Sequence, residues 1–118
     1  MARTRSSARK AGSQFERIIA DYLAHHIDDR IDRRVKTGAT DKGDIGGVRY
    51  HGERVTIECK NTTRTTLAGW IKEAEIEAAN DESPYPIVIH KRHGKANPAE
   101  QYATMTVETL TQLLKKGQ

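Results

Sequence analysis

Residues 54 to 60 read Arg54-Val55-Thr56-Ile57-Glu58-Cys59-Lys60. The alternation puts Val55, Ile57 and Cys59 on one face of a predicted strand and Thr56, Glu58 and Lys60 on the other. On that second face a carboxylate and an ammonium group stand roughly 7 Å apart along the chain. An exposed salt bridge contributing about 0–1 kcal/mol is one reading of the pair; a catalytic pair is the other. Glu-x-Lys occurs once in the chain, and its surroundings bear on the choice. Asp44 to Tyr50 and Arg54 to Asn61 predict a hairpin with His51-Gly52-Glu53 at its turn. Pairing that closes there brings Asp44 opposite the Glu58 end of its partner strand.

Asp44 and Glu58 together make half an oxygen site for a hard divalent ion such as Mg²⁺, with Mn²⁺ as a substitute, waters and a phosphate filling the rest. An ammonium group beside it, Lys60, suits a reaction that builds negative charge. Asp44 as a residue that only satisfies backbone donors at a turn is the alternative, and Asp41 is the rival ligand. The five histidines show no zinc-site spacing.

Upstream, residues 1–11 hold Arg3, Arg5, Arg9 and Lys10 and no aromatic residue. They read as a flexible basic arm, either contacting phosphates or serving no role. Ser13-Gln14-Phe15-Glu16 fits a capping box, and Phe15, Ile18, Ile19, Tyr22, Leu23 and Ile27 continue it as an amphipathic helix over 13–27. A short charged strand is predicted over 30–36 and a turn-rich loop over 37–43. Downstream, Thr65 or Thr66 caps a helix over 67–80 with Leu67, Trp70, Ile71, Ala74 and Ala78 inward. Glu73, Glu75 and Glu77 read first as its solvated face, with one of them near a metal as the alternative. Trp70 is a core residue or a dimer contact. Pro84 and Pro86 stop the helix, Ile87-Val88-Ile89 begins a strand buried on both faces, and His90-Lys91-Arg92-His93 offers charge at its end. A strand over 102–106 and a helix carrying Val107, Leu110, Leu113 and Leu114 close the chain. The expected architecture is α/β: one domain, residues 12–116 behind the arm, with a central mixed sheet flanked by helices.

Composition bounds the partners. The 118 residues are 36% hydrophobic and 31% charged, and 20 Lys and Arg against 16 Asp and Glu leave a formal +4. A polyanion suits that balance. No stretch approaches the roughly 20 apolar residues that span a bilayer, and no signal peptide is read, so a membrane is not expected. A single cysteine, Cys59, allows no internal disulfide and reads as a reduced, buried thiol of a cytoplasmic protein. Six aromatics, mostly at predicted core or loop positions, argue against a sheet that stacks single-stranded bases.

Glu16 on the first helix, Lys42-Gly43-Asp44-Ile45 at a strand start, Glu58-Cys59-Lys60 on the next strand and the Gly69-Trp70-Ile71-Lys72-Glu73-Ala74-Glu75 helix resemble the PD-(D/E)xK nuclease superfamily. Within it they are most similar to the small Holliday junction resolvases, phage-encoded ones above all and archaeal ones more distantly. The likeness covers most of residues 12–114. It implies a restriction-endonuclease-like αβββαββα order and a homodimer cutting branched DNA in the cytoplasm (that of the bacterial host, if phage-encoded). It makes Asp44 and Glu58 metal ligands, adds the Cys59 carbonyl, gives Lys60 the catalytic lysine role and brings Glu16 to the metal directly or through water. The family's proline before the aspartate is Gly43 here, and Thr37 and Thr40 are the only hydroxyls where several resolvases carry a catalytic serine. Arg3, Arg5, Arg9, Lys10, Lys36, Lys42, Arg64, Lys91 and Arg92 are the candidate DNA contacts. A non-catalytic nucleic-acid-binding module and a sequence- or damage-directed nuclease are the rival functions.

Overall fold

The computed structural model describes residues 3–35 and 40–118. In chain order its elements are α1 (Arg5–His26), β1 (Asp32–Arg33), β2 (Ile45–Gly46), β3 (Arg49–Tyr50), β4 (Glu53–Lys60), α2 (Leu67–Asn80), β5 (Tyr85–His90), a 3₁₀ turn (Pro98–Glu100), β6 (Tyr102–Thr104) and α3 (Val107–Lys116). The sheet runs β1-β2-β4-β5-β6, with β3 also on β4. Only β4 and β5 are parallel, and α2 supplies the long crossover that parallel pairing demands. The result is the expected α/β domain with a mixed sheet.

β4 lies at the centre because both of its faces are covered. Val55, Ile57 and Cys59 pack with Phe15, Ile19, Ala20, Ile31, Ile45 and Tyr85 on the α1 side. On the other side Trp70 and Ala74 of α2 close over Val88, with Ile71 against them. Thr56 and Glu58 are therefore buried with the apolar residues. The doubly covered strand is β4 rather than β5, where only Tyr85 and Val88 are fully buried.

Two boundaries differ from the sequence reading. α1 begins at Arg5, capped by Thr4, whose hydroxyl accepts from the Ser7 N–H at 3.1 Å. Residues 5–11 are thus helical and not a flexible arm, and Ser13 lies mid-helix and caps nothing. Arg-Ser-Ser-Ala-Arg-Lys-Ala holds no helix breaker, so a cap upstream suffices to extend the helix. The second difference is in the hairpin. Ile45 pairs with Ile57, whereas Arg49 pairs with Arg54 and Tyr50 with Glu53. The register slips by one residue, so the predicted strand over 44–50 is two short strands joined by a β-bulge at Gly46-Gly47. The slip changes the phase of the alternation, which lets Ile45, Val48 and Tyr50 all reach the same core.

Gly47 makes the bulge possible. Its φ is +87°, and an added Cβ would sit 2.8 Å from the Arg30 carbonyl oxygen. Gly47→Ala is expected to destabilise the protein by about 2 kcal/mol or more, read as a lower urea midpoint. An unchanged midpoint would mean that the bulge is not fixed in this form.

Candidate metal and catalytic site

The hairpin delivers Asp44 to the end of β4 through backbone bonds. The Asp44 N–H donates to the Ile57 carbonyl at 2.8 Å, and Asp44 Oδ2 accepts from the Cys59 N–H at 2.8 Å. The approach is tight: a Cβ on Gly43 would meet the Ile57 oxygen and Thr56 Cγ2 at 3.0 Å, and its φ is +97°. Proline, locked near −65°, cannot occupy that position.

Glu58 and Lys60 emerge from β4 on the α2 side. Lys60 Nζ lies 3.5 Å from Glu58 Oε2 and donates to both Glu73 oxygens at 3.0 and 3.1 Å. Single ligand oxygens of Glu58, Glu73 and Glu77 fall within 4.8 Å of one another. Glu58 and Glu77 are 3% and 2% exposed, so this is not a surface salt bridge. Glu77, read first as solvated, is instead buried. Trp70, Glu73, Ala74, Glu77 and Ala78 recur at three- and four-residue spacing, so both glutamates belong to the inward stripe of α2. That spacing was the available signal.

Among the described residues the cluster is rich in acceptors and poor in donors. Burial pushes the Glu58 carboxyl up to about 12, reinforced by contacts with Glu73 and Asp44 and by the charges of Asp44 and Glu77. Glu77 is raised to about 8, first by burial and then by Asp41. Lys60 is also raised: burial works against its charge, but the bond to Glu73 and the charges of Glu58 and Glu73 outweigh it. Glu58 Oε1 and Glu77 Oε1 are buried without a hydrogen-bond partner among the described residues. Buried carboxylates this close demand protons or a cation, and an all-oxygen donor set with two orphaned buried oxygens fits a hard divalent ion such as Mg²⁺. Glu58, Glu73 and Glu77 are the side chains whose oxygens converge to hold it, and Asp44 lies against Glu58 beside them.

Other candidates lie elsewhere. Glu16 is held by Arg33 at 3.2 Å and lines a separate cleft of about 560 Å³ with Arg17 and Asp32, outside the converging glutamates. Cys59 turns its thiol into the core and contributes backbone. Asp41 Oδ1 accepts from the Gly43 N–H at 2.9 Å, a turn bond. Trp70 is core. Lys36 and Thr37 fall outside the described residues; Thr40 is exposed.

The proposed DNA contacts divide. Arg5, Arg9, Lys10 and Arg64 are exposed and Lys42 is half-buried. Arg3 instead ties the start of α1 to the end of β4, donating to the Asn61 carbonyl at 2.7 Å. Lys91 Nζ donates to the Arg92 and Lys95 carbonyls, and Arg92 donates to the Glu100 carbonyl while lying 4.7 Å over the Tyr102 ring. Both cations shape the loop they occupy. No helix among the described residues is long and apolar enough to cross a membrane.

Comparison of the chain with protein-family models, with curated proteins and with solved structures finds no match.

Proposed function

We propose that this protein is a Mg²⁺-dependent DNA endonuclease of the cytoplasm that hydrolyses phosphodiester bonds in branched DNA, four-way junctions above all. The observation that carries the reading is the buried Glu58 beside Lys60 and Asp44, with Glu73 and Glu77 closing an acceptor-rich cluster. A structural ion pair has no use for two orphaned buried carboxylate oxygens, and a cation site does.

When bound, Mg²⁺ would neutralise the carboxylates and lower the pKa of a coordinated water. The chain's own groups do the rest. Asp44, fixed by the Cys59 N–H, and Glu58 orient the oxygen donors from two strands. Glu73 aims the Lys60 ammonium, which donates to a phosphate oxygen as charge builds there. Water adds to phosphorus, the bond to the 3′ oxygen breaks and takes up a proton, and the product carries a 5′-phosphate. Preference for junctions and the pairing of two chains about a two-fold axis rest on the family resemblance alone.

The test is cleavage of a four-way junction and of linear duplex in Mg²⁺, Mn²⁺ and EDTA. The junction is expected to be cut in either metal, faster than the duplex, and not in EDTA. Cutting in EDTA would overturn the scheme, and junction binding without cutting in any metal would favour the non-catalytic binding module.

A further inference from the structure

We propose that the pocket next to the acidic cluster, walled by Arg34, Lys42, Arg49 and Arg54, binds a backbone phosphodiester adjoining the one that is cut. This inference rests on the nuclease reading and extends it to the substrate strand.

The pocket has a volume of about 190 Å³ and also includes Gly47 of the bulge and Asp81. A single water claims only about 30 Å³ of liquid, so an anion of phosphate size has room. Its charge is unbalanced. Four cations face one carboxylate, leaving three positive charges uncompensated. Asp81, fully buried, already accepts from the Thr56 hydroxyl at 3.0 Å. Its carboxylate lies 3.5 Å from Arg34 and 3.6 Å from Arg54, and its carbonyl accepts from Arg54 at 3.1 Å, so one carboxylate is shared between two guanidinium groups. Among the described residues Asp81 Oδ1 has no hydrogen-bond partner, and neither does the buried Arg34 Nε, a donor without an acceptor.

The bulge adds a second imbalance. Arg49 and Arg54 stand directly opposite each other across β3 and β4, and like charges in that relation repel. Neither Arg49 nor Lys42 makes an ion pair among the described residues. An anion between the arginines relieves the repulsion, and guanidinium groups match phosphate oxygens in shape as well as charge.

Position points to a neighbouring phosphate of the same strand. Thr56, which donates to the pocket residue Asp81, shares the face of Glu58, one pleat repeat away, roughly 7 Å. That step is on the scale of the spacing between successive phosphates in a nucleic-acid strand. The Arg34 N–H donates to the Asp44 carbonyl at 2.8 Å, and Asp81 follows Glu77 by one helical turn. Pocket and cluster are thus joined through both the strand and the helix.

The experiment measures DNA binding, not cutting, with no divalent ion or with Ca²⁺, across a salt series. Arg49→Gln and Lys42→Gln should each weaken binding and flatten the slope of log affinity against log salt by about 0.9 at most. Lys115→Gln on α3 is the control for loss of a charge. A neutral methylphosphonate beside the scissile position should weaken wild-type binding yet cost Arg49→Gln little, because both remove the same contact. Pocket variants that match the control, or a methylphosphonate penalty that adds fully to Arg49→Gln at every position scanned, would overturn the inference. Wild-type cleavage with such pocket variants leaves the nuclease reading standing without the pocket. Pocket-dependent binding with no cleavage in any metal does the reverse, and no DNA binding at all overturns both.

Discussion

Asp44→Asn and Glu58→Gln are each expected to lower Mg²⁺-dependent cleavage by on the order of a thousandfold or more, a loss on the scale seen when a preorganised electrostatic group is removed. Both substitutions keep shape and remove a carboxylate. Glu58 sits among like charges with one oxygen orphaned, so its amide should leave the metal-free protein as stable as before or more so. DNA binding should hold or strengthen, since neither amide adds negative charge beside a polyanion. Asp44→Asn puts more at risk, because Asp44 Oδ2 accepts from the Cys59 N–H; the asparagine must present its carbonyl oxygen there. Glu58→Gln is therefore the cleaner variant. Wild-type cutting by a folded Glu58→Gln protein would refute the site assignment. Lys60→Ala gives the complementary result: metal binding retained, rate lost.

Stability of the metal-free protein should fall as pH rises from about 4.5 to 8, and Mg²⁺ should reverse the fall. Glu77 is raised from 4.5 to about 8 and Glu58 to about 12. Above pH 4.5 the unfolded chain releases these protons while the folded one keeps them. The folded state then binds more protons than the unfolded one, and unfolding becomes easier with rising pH. For Glu77 the loss levels off near pH 8; for Glu58 it continues toward 12. The combined effect by pH 7 is on the order of a few kcal/mol. Asp28, lowered to about 2 by its bonds from Arg30, and Asp32, lowered chiefly by Arg17, act with opposite sign. They lose stability only as pH falls below their ordinary range, so the two windows separate. Thermal unfolding at pH 5, 6.5 and 8, with EDTA and with Mg²⁺, tests this. The metal-induced gain should be largest at pH 8 and shrink in Glu77→Gln. A gain equal at all three pH values would argue against a cation seated among these carboxylates.

How much of this was legible from residues alone depends on how local each cause is. The alternation from Val55 to Cys59 and the helix over 67–80 follow from neighbours in sequence, and both appear in the structure with nearly the expected limits. The two-residue turn at His51-Gly52 sets the pairing of β3 with β4 and carries Asp44 toward the Glu58 end of that strand, and that too is local. The bulge was not legible, because its cause is the approach of Arg30 to Gly47 from outside the hairpin. Glu16 looked like a capping residue or a metal ligand, and its partner Arg33 comes from a strand with little apolar pattern. The charge of Glu77 points to solvent, although its spacing places it under the helix.

The bulge also separates two kinds of freedom in the hairpin. On one side of Gly46-Gly47 the chain is committed to the spacing that seats Asp44 beside Cys59. On the other, β3 runs to a tip whose His51 and Gly52 both have positive φ, +48° and +81°, with open space around Gly52. A change of length at that tip is absorbed before it reaches the carboxylates, because the register has already been reset. The tip is the natural place to attach a probe or insert a peptide, and a site in which a lineage of such proteins can vary its reach while the chemistry stays put.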